Sequence, residues 1–235
     1  MKKALFIEHD HVSLGGPIWR AFESRGYSIE RFLVVSEADY QSPNVKVAFP
    51  DLNDYDIIVP MGAPYGAYED ERIGNWLLPE LAALKSAHNA GKPILGICFG
   101  GQMMARTLGG SVVRAPKAEL GWYTIETNDE TLISSGPWFE YHWDCWVSPP
   151  LATEIARTEL AVQAFTLGRT LALQFHPEGA HTENGTRVLK NFVFDICKCR
   201  PKWTMQSFIE TTTKEIREKV GRDRVVCAIS GGVDS

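Results

Sequence analysis

Over the first 110 residues, short apolar runs alternate with longer amphipathic ones. Residues 4–7, "ALFI", suffice for a strand. Residues 14–26, "LGGPIWRAFESRG", predict a helix closed by Gly26. Strand character returns over 27–35 and over 55–62, where "YDIIVPMG" runs into a Gly/Pro turn. Residues 70–91 predict a helix interrupted by Pro79 and capped by Gly91. Residues 92–97, "KPILGI", form the next strand, and helical residues 101–110 follow. This β-α-β-α order predicts an α/β fold: an open, mostly parallel twisted sheet with flanking helices.

After Gly110 the texture changes. "SVVRAP", "GWYTIET", "AVQAFTLG" and "RTLALQFHPE" are strand-like, with turn residues between them, and predict antiparallel strands added to the sheet. Residues 184–197 predict a closing helix. A polar connector with a proline, "KCRPKW", comes next. In residues 204–221, Met205, Phe208, Ile209, Ile216 and Val220 fall along one helical face. A strand, "RVVCAI", then leads into "SGGVDS". The expected organisation is a domain over 1–197, a linker over 198–203 and the start of a second domain over 204–235.

Composition narrows the function classes. Of 235 residues, 44% are hydrophobic and 23% charged, as in ordinary globular chains. The net charge is −5 and no basic block marks a nucleic-acid groove. Apolar runs fall far below the roughly 18 residues a spanning helix needs. The N-terminus has only "ALFI" as an apolar core, with Glu8 and Asp10 close behind, so no targeting signal is expected. The five cysteines are odd in number and irregularly spaced, as for reduced thiols in the cytoplasm. Cys197 and Cys199 lack a second ligand pair of zinc-site spacing, and His9-Asp10-His11 reads as a loop after the first strand.

The most informative motif is "GICFGGQ", Gly96 to Gln102. A strand runs into Cys98, and small residues lead into a helix, as in a nucleophile elbow. Gly96 and Gly100 let neighbouring backbone pass close. The helix N-terminus supplies N–H groups and positive potential, which favour a thiolate. The base is expected at His176 in "LQFHPEG", with Glu178 two residues on to orient and charge-stabilise the imidazole. His88 reads instead as a solvated helix-surface residue. Backbone N–H groups at Phe99 and at Gly62-Ala63 are oxyanion-hole candidates, at predicted C-terminal strand ends.

These motifs resemble the class I, triad-type glutamine amidotransferases, which are flavodoxin-like, over roughly residues 3–197. The resemblance rests on "GICFGGQ", "QFHPE" and "PMGAP". It implies that Cys98, His176 and Glu178 hydrolyse glutamine without a cofactor. It also implies that Gln102, His142 and Asp144 line the glutamine pocket. Two positions depart from the family: Ala63 and Trp143 stand where glycine is common. A left-handed backbone at either would be strained by the side chain.

The tail "SGGVDS" resembles the phosphate loop of N-type ATP pyrophosphatases. There Ser230, Gly231, Gly232 and Val233 would cradle phosphate, Ser235 would add a hydroxyl, and Asp234 would help hold Mg²⁺. The implied cofactors of the larger enzyme are ATP and Mg²⁺. The implied partner is an ATP pyrophosphatase and XMP-binding region continuing beyond Ser235. Neither nucleic acid nor membrane is implied, and a homodimer is compatible with the pattern. Two other readings remain at this stage: a hydrolase of another γ-glutamyl or amide substrate, and a non-catalytic regulatory subunit.

Overall fold

The computed structural model describes residues 2–13, 15–178, 185–192, 196, 213 and 217–221. The chain divides into two compact units, Met1–Arg200 and Pro201–Ser235. In the second, residues 217–220 are helical and end at Gly221, whose φ of 58° suits a glycine. The predicted linker, the strand "RVVCAI" and the loop Ser230–Ser235 lie outside the described residues.

The first unit is built on one nine-stranded sheet. Its strands are β1 (Lys2–Glu8), β2 (Tyr27–Leu33), β3 (Ile57–Pro60), β4 (Ile94–Ile97), β5 (Ser111–Thr127), β6 (Gly136–Val147), β7 (Thr153–Arg157), β8 (Val162–Leu167) and β9 (Thr170–Leu173). They lie in the order β2-β1-β3-β4-β9-β8-β7-β5-β6. Pairing is parallel from β2 to β9 and antiparallel from β9 to β6. The helices are α1 (Pro17–Glu23), α2 (Asp70–Asn89), α3 (Phe99–Thr107) and α4 (Gly185–Asn191).

Side-chain alternation along β1 explains the layering. Ala4 and Phe6 enter a core with Ile18 and Phe22 of α1 and Val188 and Leu189 of α4. Leu5 and Ile7 enter the opposite core with Trp76 and Leu77 of α2. Each such large side chain contributes about 1.5–3 kcal/mol by leaving water. That burial also explains why α2 runs unbroken through Pro79, where an interruption is expected from sequence. An interior proline costs about 3 kcal/mol. Ile73, Trp76, Leu77 and Leu84, all fully buried, hold the helix together on both sides of it.

The antiparallel half differs more from expectation. "SVVRAP" and "GWYTIET" are one 17-residue strand, β5, with a register shift between Arg114 and Glu119. Strands β6 and β7 are not predicted. The topology still gathers the strand ends that matter. β4 and β9 are parallel neighbours with Ile97 beside Leu173, so Cys98 and the turn bearing His176 leave the sheet at one edge. β3 ends at Pro60 on the same edge, just before Gly62.

Candidate active site

Cys98 sits between β4 and α3 with φ 52° and ψ −110°. Among the described non-glycine residues only Leu151 shares a positive φ. Such a backbone costs on the order of 1–3 kcal/mol and persists only where its surroundings impose it. Here the Cys98 N–H donates to Leu173 O at 2.7 Å, and the Gly100 N–H donates to Met61 O at 3.0 Å. The glycines make this crossing possible. A Cβ on Gly100 would lie 2.0 Å from Pro60 O, and one on Gly96 would lie 2.6 Å from Gly100 O. The turn therefore lifts Cys98 to the N-terminus of α3, beside first-turn N–H groups that have no intrahelical partner.

His176 follows β9, and its main-chain N–H is fixed by Phe139 O of β6 at 2.9 Å. Its Nδ1 is 2.6 Å from Glu178 Oε1, and its ring lies within electrostatic reach of Cys98, with which it lines the same cleft. Burial pulls the His176 pKa down. The charges of Glu178 and Cys98 and the contact with Glu178 outweigh it and leave the pKa well above the ordinary histidine value. A positioning contact absent from the sequence reading joins this group. Gln174 Nε2 donates to Cys98 Sγ at 3.7 Å, and its Oε1 accepts from Gln102 Nε2 at 3.3 Å.

A cleft of about 520 Å³ opens over Cys98. Gly62, Ala63 and Phe99 line it, and a Cβ on Gly62 would sit 3.8 Å from Cys98 Cβ and 3.7 Å from His176 Cε1. Neither Ala63 nor Trp143 has a positive φ, so the strain expected there is not present. Gln102 also lines the cleft. Its amino group is committed to Gln174, whereas its buried Oε1 has no partner. Asp144 of β6 lines it as well, accepting from Tyr68 Oη at 3.1 Å and Arg114 Nη1 at 3.5 Å.

His142 reaches the cleft but is held from behind. Its Nδ1 is 2.9 Å from the main-chain oxygen of Asp144. Its Nε2 is 3.3 Å from Glu119 Oε2 on β5 and 3.2 Å from Glu140 Oε2 on β6. Burial opposes charge on His142, but the facing carboxylates of Glu119 and Glu140 push its pKa up to about 10. Burial opposes charge on Glu119 too, and bonds from His142, Thr158 and Gln163 hold its pKa below the usual value. Glu140 goes the other way, pushed up to about 7 by burial. Sequence reasoning missed Glu119 and Glu140. A charged residue at alternate, inward positions of a hairpin is the signal that would have found them.

The remaining candidates fall elsewhere. His9 is fully buried, stacked on Trp76, with Nε2 3.1 Å from Glu80 Oε1. Asp10 accepts from the N–H groups of Val12 and Ser13 and so shapes the loop after β1. Among the described residues no three His, Cys, Asp or Glu side chains are placed to hold a metal. His88 is half-buried, not solvated, with Nδ1 2.9 Å from Thr170 Oγ1 of the neighbouring strand. Ser230–Ser235, Cys197 and Cys199 lie outside the described residues.

A cysteine on a strained strand-to-helix turn, with a histidine–carboxylate pair from the adjacent strand end, has the geometry of thiol-based acyl transfer on a doubly wound sheet. Comparison with known proteins narrows this class. The model for "Glutamine amidotransferase class-I" matches residues 13–196, and the chain belongs to that family. It is 40% identical over 189 residues to a glutamine-hydrolysing GMP synthase of Thermomicrobium roseum, covering 76% of this chain and 34% of that protein. It is 41% identical over 166 residues to one of Clostridium botulinum, covering 64% and 31%. The chain thus matches about a third of the length of these curated relatives. A glutamine amidotransferase of Thermotoga maritima shares the fold with a TM-score of 0.66 and 28% identity, covering 93% of this chain and 92% of that one. A glutamine amidotransferase from Methylobacillus flagellatus, at 18% identity and a TM-score of 0.69, shows the fold alone. Among the described residues no helix is long and apolar enough to cross a membrane.

Proposed function

We propose that residues 1–197 form a glutaminase in which Cys98, His176 and Glu178 release ammonia from glutamine. The observation that carries this is the strained Cys98 turn sharing a cleft with His176, whose Nδ1 lies 2.6 Å from Glu178. The Cys98 thiolate attacks the side-chain amide carbon. The N–H groups of Phe99 and of Gly62-Ala63 receive the oxyanion. The His176 imidazolium gives its proton to the leaving nitrogen, and ammonia departs from a γ-glutamyl thioester. Neutral His176 then takes a proton from water, which attacks the thioester and frees glutamate. Glu178 keeps the imidazole in one orientation and stabilises its charged form. Asp144 suits the substrate ammonium and neighbouring Arg114 its carboxylate, with the partnerless Gln102 Oε1 as a further acceptor.

In this reading the ammonia serves ATP-dependent amination of XMP to GMP in the cytoplasm. Residues 198–203 are a linker, and residues 204–235 open an ATP pyrophosphatase domain. In that domain Ser230–Ser235 grip pyrophosphate, and Asp234 helps bind Mg²⁺. The relatives' names and the "SGGVDS" motif support this. A second reading is favoured by the Thermotoga structure, of which this chain covers 92%: a free-standing amidotransferase serving another acceptor. Glutamate release from glutamine tests the chemistry, and Cys98→Ala should abolish it; unchanged turnover removes Cys98 as nucleophile. GMP formation from XMP, ATP, Mg²⁺ and glutamine with a pyrophosphatase domain supplied tests the pathway. Loss of the glutamine-driven rate alone in Cys98→Ala, with free ammonia still used, is the expected pattern.

A further inference from the structure

The triad leaves a second buried carboxylate beside it without a role. Glu140 is fully buried on β6, one residue after Phe139, whose carbonyl holds the His176 main chain at 2.9 Å. Its Oε2 lies 3.2 Å from His142 Nε2, and its charge also acts on His176. Cys98 in turn acts on both histidines.

Counting protons shows what Glu140 has to spare. His142 Nδ1 faces a main-chain oxygen, which only accepts, so that nitrogen carries hydrogen. Its Nε2 faces two carboxylates, so their charge favours the imidazolium. One imidazolium balances one carboxylate. Glu119 also receives Gln163 Nε2 at 2.7 Å, whereas neither oxygen of Glu140 has a well-aligned donor. When ionised, Glu140 is therefore a surplus negative charge in the protein interior, within electrostatic reach of the catalytic imidazole. The groups facing it are Glu119 from β5, His142 from β6 and His176 from the turn after β9. His176 is itself paired with Glu178, and Cys98 acts through both histidines.

We propose that Glu140 is a positioning residue of this site: as a carboxylate it helps keep the proton on His176, and so sets the pH range in which the Cys98–His176 pair works. The proposal deepens the glutaminase reading and rests on it for the substrate, but not for its test. The measurement is the pH dependence of Cys98 alkylation by iodoacetamide, read on the Cys98 peptide by mass spectrometry, beside kcat/KM for glutamine. Glu140→Gln removes the charge and keeps the shape. Without a neighbouring anion the imidazolium loses its proton more easily and the thiolate forms more easily. Both steps of the alkylation profile should move to lower pH, the alkaline one by about one unit. Glu140→Asp keeps the charge and should bring that step at least halfway back.

A rate lowered equally at every pH, with the steps unmoved, would mark a structural role and overturn the proposal. Should Glu140→Gln not fold, Glu140→Met, which needs no hydrogen bond, carries the same test. The unaltered protein gives an independent reading. Its alkylation profile should carry an added inflection near pH 7, where Glu140 ionises. A profile described by Cys98 and His176 alone contradicts the proposal. Shifted steps without glutamine turnover would sink the substrate and keep Glu140; turnover with unmoved steps would do the reverse.

Discussion

The cleft has two walls made by different physics. One is the parallel half, where β3, β4 and β9 end together and present Gly62, Cys98 and His176. The other is the β5–β6 hairpin, which presents His142 and Asp144. Each wall holds a histidine against carboxylate, but the settings differ. His176 and Glu178 keep 18% and 15% of their side-chain surface, enough to meet a substrate and exchange protons. His142, Glu119 and Glu140 keep 2% or less and are locked among themselves. The first group is placed to react; in the second, His142 and Glu119 hold a wall still, and Glu140 is the member whose charge reaches His176. The same pairing of residue types thus serves two purposes, separated by access to solvent and by how many partners each nitrogen has.

The contrast breaks most sharply at His176. His176→Asn should lower glutamate release by about 10³-fold, the scale of lost general acid–base catalysis. Folding stability should fall by less than in the hairpin, because a polar side chain remains in a partly open site. A loss of stability comparable to the loss of activity would erase the distinction between the walls. The complementary change is His142→Leu. It leaves Glu119 and Glu140 facing each other in the interior without their cation, a loss expected to cost about 3–5 kcal/mol. Urea unfolding should show a lower midpoint with an unchanged slope. If instead His142→Leu is as stable as the parent, the hairpin cluster is not what holds that wall.

The two walls also differ in how far sequence foretells them. In the parallel half, hydrophobic runs, glycines and function coincide. "ILGICFGGQ" reads as strand, turn and helix because each local preference agrees with the fold. The spacing of Gly96 and Gly100 predicts close backbone approach, and Pro60 O and Gly100 O do lie where Cβ atoms would clash. In the hairpin the usual polarity is inverted. The inward positions of β6 include Glu140, His142 and Asp144, and the outward ones include Tyr141 and Trp143, at 54% and 38% exposure. A period-2 signal is present, but hydrophobicity points it the wrong way, so β6 reads as an aromatic loop. Only the family resemblance points to His142. Its partners Glu119 and Glu140 lie 23 and 2 positions away along the chain, and only the strand pairing of Glu119 with His142 brings the three together. Gln174 was hidden differently: on sequence it is one more strand residue before His176, and only the turn geometry aims its amide at Cys98.

The smallest expected effect separates the walls by proton linkage. His142 has its pKa raised to about 10 in the folded protein, against an ordinary 6.5. Its stabilisation is therefore fully present below pH 6.5 and is lost as pH rises toward 10. Glu140, raised from 4.5 to about 7, favours the folded state in its protonated form, so its contribution fades as pH rises through 7. His176 is raised as well and acts in the same sense. Glu119 is lowered and acts oppositely, its contribution being lost only as pH falls below the ordinary carboxylate range. Between pH 5 and 10 these groups together predict a Tm that falls with rising pH. A drop of about 4 °C or more is expected across pH 6.5–10, since about 1 kcal/mol moves Tm by roughly 2–4 °C at this size. Replacing His142, Glu119 and Glu140 together by Leu, Gln and Gln should flatten most of that slope, and His176→Asn only part of it. A Tm independent of pH over this range would mean that His142 is neutral in the folded protein. The hairpin wall would then be held by hydrogen bonds alone, without the buried charge that distinguishes it from the reactive one.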